Sequence, residues 1–203
     1  MSTTETAQQF GPARPKRADA RRNYEKVLAA AREAFADGGA ATSLEEIARR
    51  AEVGIGTLYR HFPTRQALLE AVYVGEVEEL CRSAADLAEL APWEALVGWL
   101  HRFVGYLATK KALADELMSY LDRDADLFKS SRAALWAAGE PLLERAQRAH
   151  VARSDTDLAE IIQMVGGIAK IPATDPAQID HILDMALDGL RYRVSAEASA
   201  PSR

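Results

Sequence analysis

The chain has 203 residues, of which 48% are hydrophobic, so it is long enough to bury a sizeable core and is not intrinsically disordered. Its formal net charge of −5 is the wrong sign for a nucleic-acid-binding protein taken as a whole. The single cysteine, Cys81, excludes an internal disulfide and a multi-cysteine metal site. No apolar run reaches the roughly 18 residues of a membrane helix. The polar N-terminus has no hydrophobic signal segment, so we expect a cytoplasmic protein.

The charge is divided unevenly along the chain. Residues 1–75 hold 11 Lys and Arg against 9 Asp and Glu, whereas residues 76–203 hold 14 against 21. Seven cations and three anions lie within residues 14–33, a balance of +4. Cationic charge gathered in one segment indicates a place for a polyanion such as DNA, although a basic tail on a solvated helix would look the same.

The first half of the chain reads as a mobile arm followed by four helices. Residues 1–20 have few apolar anchors and are predicted to be a flexible basic arm. Apolar residues recur at helical spacing from Arg21 to Asp37, and Gly38-Gly39 ends that helix. In the second helix, Ser43 is predicted to cap the first amides while Glu46 reaches back to the amide of the cap. A turn leads to the third helix over residues 54–62, and Thr64 is predicted to cap the fourth.

The second half is predicted to be helical as well, which makes the fold class all-α. One helix opens at Pro92 and runs past Val104, and a separate apolar stretch covers about 112–122. A longer helix over about 126–149 contains Pro141, where we expect a kink or a break. Two closing helices are predicted over about 155–170 and 176–193, before a polar tail. The implied domains are the arm 1–20, a smaller N-terminal helical domain 21–80 and a larger helical domain 81–203.

The third helix, in the stretch "GIGTLYRHF", carries more rings and cations than a buried helix needs. On a helical wheel, Leu58 and Phe62 share one face and are predicted to point into a small core. Arg60 lies opposite, and Tyr59 and His61 lie on the two flanks. Two short helices joined by a tight turn and braced by a first helix form a helix-turn-helix, predicted here over 43–62. The second helix of such a motif enters the major groove of DNA.

The stretch "TSLEEIARRAEVGIGTLYRHFPTRQALLEAV" is similar to the DNA-binding domain of the tetracycline-repressor (TetR) family of transcriptional regulators. The resemblance covers about 21–75. It implies that Thr42 and Ser43 form a phosphate-binding helix start, and that Arg65 faces the DNA backbone where the family usually has lysine. The turn departs from the family pattern, since Glu52 stands where glycine is common. The predicted DNA-contacting residues are Thr42, Ser43, Ile55, Gly56, Thr57, Tyr59, Arg60, His61 and Arg65.

The resemblance also implies a homodimer whose C-terminal domain encloses a ligand pocket, and the ending resembles a subgroup with an SbtR-like C-terminal domain. Two glycines inside a helical pattern and a wide apolar stripe on the last helix indicate close helix pairing, although glycines that mark a helix end or a kink would look the same. The predicted dimer interface comprises Gly166, Gly167, Ile179, Ile182, Leu183, Ala186, Leu187 and Leu190. Large apolar residues that would line a pocket, or would simply be core, are Trp99, Phe103, Tyr106, Met118, Leu121, Trp136 and Leu143.

Catalytic and metal-binding motifs are not found in the sequence, because its four histidines are scattered and it has no phosphate-cradling glycine loop. We therefore expect no enzyme activity, no metal and no cofactor. The predicted function is a sequence-specific DNA-binding transcriptional regulator, a homodimeric repressor released from operator DNA by a small-molecule effector, with no membrane partner. The alternative is a helical small-molecule-binding protein with a vestigial DNA-binding head.

Overall fold

The computed structural model describes residues 15–38, 42–122, 125–172 and 175–191, with the side chains of residues 108–112 and 176 outside that description. Over these ranges the chain is helical and contains no β-strand. The helices are α1 (Ala18–Gly38), α2 (Leu44–Arg50), α3 (Ile55–His61), α4 (Arg65–Leu87), α5 (Pro92–Leu117), α6 (Asp126–Arg148), α7 (Leu158–Ile168) and α8 (Pro176–Asp188). The predicted all-α fold class is confirmed. Most of the predicted N-terminal arm and the polar C-terminal tail lie outside the described residues.

Two compact units divide the chain. The first holds the residues up to Glu79 together with Tyr106–Leu135, and the second holds Leu80–Gly105 and the residues from Trp136 onward. Helices α4, α5 and α6 therefore each contribute residues to both units.

In the first unit, α1, α2 and α3 pack around one small apolar core. Helix α1 contributes a stripe at helical spacing that is fully or almost fully buried, and α2 contributes Ile47. Leu58 and Phe62 close the core from α3 and have no exposed surface. The buried residues of α1 are Tyr24, Val27, Ala30, Ala31, Ala34 and Phe35. Because Leu58 and Phe62 are buried, the opposite side of α3 is turned to the surface.

Side-chain caps define where the short helices begin. The Ser43 hydroxyl accepts a hydrogen bond from the Glu46 amide at 3.1 Å, and the Thr64 hydroxyl accepts one from the Ala67 amide at 3.1 Å. The predicted reciprocal bond from Glu46 is wrong, because its carboxylate accepts hydrogen bonds from the guanidinium groups of Arg49 and Arg50 instead. A charged partner attracts the carboxylate more strongly than a neutral amide does.

The structure bears on two expectations for the longer helices. The apolar stretch at 112–122 does not begin a new helix, because α5 continues without interruption from Pro92 to Leu117. Of the kink or break predicted at Pro141, the break is absent, because α6 runs through that residue from Asp126 to Arg148. Tertiary packing holds Leu142 and Leu143, the residues directly after the proline, in the core.

The second unit has its own apolar core around Trp99 and Leu96, both fully buried. The Trp99 indole N–H donates to the carbonyl of Leu80 at 3.3 Å. Helix α7 begins with a reciprocal capping box between Asp157 and Glu160, and α8 begins at Pro176 after the Asp175 cap. Helix α7 is shorter than predicted at both ends, because its caps Asp157 and Ala169 lie inside the predicted range. Helix α8 begins at the predicted residue but ends earlier, at Asp188.

Candidate nucleic-acid interface

Helix α3 is anchored through one face. The ring of Phe62, directly after the helix, packs against Tyr24 of α1 with centroids 4.9 Å apart. His61 meets the edge of the same tyrosine at 6.0 Å. Since Leu58 is fully buried on the same side, α3 cannot roll without breaking this core. The side chains on its other faces are therefore presented in a fixed arrangement.

The outer faces of α3 combine aromatic, cationic and hydroxyl groups. Tyr59 is 44% exposed, Ile55 and Arg60 are exposed, and Thr57 and His61 are half-buried. Burial, with a smaller contribution from the neighbouring Arg60 charge, lowers the pKa of His61 from its usual 6.5. The imidazole is thus neutral at pH 7, with one nitrogen able to donate and the other able to accept a hydrogen bond.

Gly54 and Gly56 leave the beginning of α3 free of side-chain bulk. A Cβ atom at either position would meet no neighbouring atom within 4 Å in the part of the chain that the structure describes, so packing among these residues does not require glycine there. The absence of a side chain does allow another surface to approach the backbone closely.

Thr42 and Ser43, the two residues before α2, use their hydroxyl groups in different hydrogen bonds. The Ser43 side chain is exposed, and because its oxygen is the acceptor in the cap, its proton can be donated elsewhere. The Thr42 hydroxyl instead donates to the carbonyl of Ala34 in α1 at 2.9 Å. That bond uses the hydroxyl proton, so the predicted phosphate contact by the Thr42 side chain is corrected to a bond within the fold.

Arg65 is not a backbone-facing cation as the family resemblance implied. Its Nε donates to Glu116 Oε1 of α5, and its Nη1 donates to the carbonyl of Thr42, both at 2.5 Å. Its guanidinium also lies 5.3 Å from the ring centroid of Phe35. The side chain is only 22% exposed. Sequence reasoning missed Glu116, and no local signal reveals it, because the pair is 51 residues apart in the chain.

The cations of α2 are neutralised within the unit. Glu46 binds Arg49 through both carboxylate oxygens and also binds Arg50, which in turn reaches Asp37 of α1. These guanidinium groups hold the pKa of Glu46 at about 2. This network of two carboxylates and two guanidinium groups therefore contributes little net charge to the surface that carries α3.

The predicted pocket residues are divided between the two units. Trp99, Phe103 and Leu143 are buried in the second unit, where Trp136 is half-buried. In the first unit Tyr106 is buried and Leu121 is half-buried. Met118 is 40% exposed, because α5 ends one residue before it. Such exposure is unlike the wall of a closed pocket.

The predicted dimer residues lie in the second unit and fall into two groups. Leu183, Leu187 and Leu190 are buried in the core of their own unit, so a partner chain cannot reach them as predicted. The others retain exposed surface: Gly167 is exposed, and half-buried positions are Gly166, Ile179, Ile182 and Ala186. A Cβ atom at Gly166 or Gly167 would meet no neighbouring atom within 4 Å, so no close approach among the described residues explains these glycines.

The fold and the exposed face of α3 define a helix-turn-helix protein. Residues 27–72 match the family model for bacterial regulatory proteins of the tetR family, and residues 91–192 match the model for the C-terminal domain of SbtR-like transcriptional regulators. The chain belongs to the TetR family of DNA-binding transcriptional regulators. Proteins of this family are transcription factors and not enzymes.

Solved structures of two family members are similar over most of the chain. A TetR regulator of Streptomyces coelicolor, SCO0520, is 42% identical with a TM-score of 0.74, covering 84% of this chain and 99% of that one. A regulator from Mycobacterium vanbaalenii is 38% identical with a TM-score of 0.71, covering 87% and 99%.

A curated relative matches over a shorter region. The helix-turn-helix-type regulator SAR0097 of Staphylococcus aureus is 32% identical over 83 residues, which are 39% of this chain and 44% of that protein. The match thus spans less than half of that relative. Within the described residues, no helix combines the length and the apolarity needed to cross a membrane.

Proposed function

We propose that the protein is a homodimeric repressor that reads its operator with α3 and leaves DNA when a small molecule binds its C-terminal region. The observation that carries this proposal is the division of α3 into a buried face, with Leu58 and the adjoining Phe62, and outer faces carrying polar and aromatic groups. An isolated surface helix has no need of such groups, whereas a helix in a major groove does.

Each outward residue of α3 has a chemical role at a duplex. Thr57 and His61 hydrogen-bond base edges, since the hydroxyl donates and accepts and the imidazole keeps at least one N–H donor in either protonation state. Tyr59 packs on sugar and donates its hydroxyl to phosphate, and Arg60 binds phosphate or the O6 and N7 atoms of guanine. Ile55 contacts apolar groups such as a thymine methyl, and Gly56 lets the backbone approach.

Ser43 supplies a contact outside α3. Its exposed hydroxyl donates to a phosphate oxygen while its oxygen continues to accept the bond from the Glu46 amide. Phosphate contacts of this kind fix the register of the protein on DNA without reading sequence.

Pairing of two chains would occur through the exposed parts of α7 and α8. Gly166 and Gly167 lie in the last turn of α7, which ends at Ile168, and a glycine within a helix costs about 1 kcal/mol relative to alanine. No side chain among the described residues approaches the two positions, whereas a partner helix lying against them would explain why both are glycine. Met185, 56% exposed on α8, would be covered by the same partner. A two-fold dimer would place its two α3 helices on half-sites about 34–36 Å apart, or a multiple of that.

Ligand release requires that the effector bind one dimer arrangement more tightly than the other. Buried large side chains of the second unit, Trp99, Phe103 and Leu143, together with half-buried Trp136, are the proposed apolar contacts for the effector.

The direct test is capture of fragmented genomic DNA from the source organism by the purified protein, followed by band-shift titrations of the captured fragments in increasing salt. We expect discrete fragments, and affinity that falls steeply with salt, because each phosphate contact contributes about −0.9 to the log–log slope. Random fragments bound with a nearly flat slope would contradict the proposal.

A further inference from the structure

A chain of contacts links α5 to the residues that precede α2. The Thr42 hydroxyl binds the carbonyl of Ala34, and the Thr42 carbonyl accepts from Arg65, whose Nε donates to Glu116. All of these residues belong to the first unit. The side chain of Glu116 is 10% exposed and that of Arg65 is 22% exposed, so the pair lies largely beneath the surface.

The geometry of this Arg65–Glu116 pair holds the backbone at Thr42 in one place. A guanidinium can donate to two acceptors at once in a rigid plane, which a lysine ammonium cannot reproduce. The Phe35 ring beneath Arg65 fixes the plane further. A buried pair of this kind, once broken on one side, leaves an uncompensated charge in a poorly solvated place. The residue after Thr42 is Ser43, the proposed phosphate contact.

We propose that Glu116 is a positioning residue for DNA binding: through Arg65 it fixes Thr42 and thereby the placement of Ser43 and α2. The inference rests on the proposed DNA-binding function. Glu116 lies in the region that matches the C-terminal family model, whereas Arg65 lies in the region that matches the DNA-binding model. The C-terminal region therefore contributes a residue to the DNA-binding form of the head.

The direction in which DNA affinity changes when a negative charge is removed distinguishes a positioning role of Glu116 from simple charge repulsion. Asp115 is the exposed neighbour of Glu116 on α5, so Asp115→Asn and Glu116→Gln remove the same charge at adjacent positions of one helix. Loss of a negative charge alone strengthens binding to a polyanion. We expect Asp115→Asn to bind a captured fragment as tightly as the parent or slightly more tightly, and Glu116→Gln to bind at least about tenfold more weakly.

Two further readouts are specific to positioning. The salt dependence of Glu116→Gln should be shallower by about one phosphate contact, or about 0.9 in the log–log slope. Arg65→Lys keeps the charge but loses the planar fork, so it should weaken binding to a similar degree, and the double variant should be no worse than either single variant. If Glu116→Gln binds as tightly as Asp115→Asn with an unchanged slope, or if the two effects add, the proposal is overturned.

The role of Glu116 can be tested even if the parent protein binds no DNA. Should the parent capture no fragment, the proposed function is wrong, and the positioning role is judged by amide hydrogen exchange of Glu46 and Ile47 in the full chain. These amides should exchange faster in Glu116→Gln than in Asp115→Asn, and equal rates overturn the inference. Should Glu116→Gln fail to fold, Arg65→Lys is compared with the parent by the same exchange and affinity measurements.

Discussion

Gly139 lies in α6 at a point where even a methyl group would collide with the core of the second unit. A Cβ atom there would be 2.5 Å from Cη2 and 2.7 Å from Cζ3 of Trp99, and 3.1 Å from Cδ2 of Leu158. Carbon atoms in contact are normally about 3.5–4.0 Å apart, so the indole would have to move by roughly 1 Å. Trp99 is fully buried and its N–H is bonded to the carbonyl of Leu80, which opposes that movement.

The expected effect of Gly139→Ala is a loss of about 1–2 kcal/mol in the free energy of unfolding. Overpacking of a core costs about 1–3 kcal/mol, and the higher helix propensity of alanine returns at most about 1 kcal/mol. Gly105→Ala is the matched control, because Gly105 is an exposed glycine of α5 whose Cβ would meet no atom within 4 Å. That control should gain up to about 1 kcal/mol.

Urea unfolding of both variants at one fixed protein concentration measures the difference. If Gly139→Ala is as stable as Gly105→Ala, the Trp99 ring has room to move aside, as a cavity next to it would allow, and the packing argument fails. Unfolding of Gly139→Ala therefore also tests whether Trp99 borders a cavity next to Gly139.

Three other substitutions test separate parts of the account. In sedimentation velocity, Gly167→Leu should be monomeric while Gly105→Leu keeps the dimer, and a dimeric Gly167→Leu would remove Gly167 from the proposed interface. DNA affinity, measured by fluorescence anisotropy, should rise as pH falls from about 7.5 to about 5.5, because nearby phosphate favours the charged form of a group whose pKa is lowered in the free protein. This rise should be absent in His61→Asn, and an identical pH profile would contradict a place for His61 at the DNA. Glu52→Gly should be more stable than Glu52→Gln by about 0.5–1 kcal/mol in urea, because position 52 has φ 54° and a non-glycine residue there is strained. Equal unfolding midpoints would show that this backbone conformation costs nothing.

The helix-turn-helix could be predicted from sequence because its signals are local. A capping serine and helical spacing of Leu58 and Phe62 each act within a few residues, and the structure places Ser43 as the cap and both apolar residues in the core. The start of α8 at Pro176 is also predicted correctly, whereas its end at Asp188, before the C-cap Gly189, lies five residues short of the predicted residue 193.

The errors arose where distant residues compete for a side chain. Arg65 has the sequence context of a phosphate contact, but Glu116, far away in the chain, provides a nearer and less solvated anion. The apolar stripe of the last helix predicts a dimer face, but such a stripe does not reveal which surface covers it. Leu183 and Leu187 are covered by their own unit. Pattern alone cannot distinguish an internal neighbour from a second chain.

The central claim is that the outer faces of α3 read the duplex, and one pair of variants tests it most directly. Tyr59 and Tyr120 are tyrosines of nearly equal exposure, 44% and 46%, but only Tyr59 lies on α3. Affinity for a captured fragment should fall at least about tenfold in Tyr59→Ala and stay unchanged in Tyr120→Ala, with both variants dimeric in sedimentation. If Tyr59→Ala binds the fragment as tightly as Tyr120→Ala does, α3 is not the element that contacts DNA.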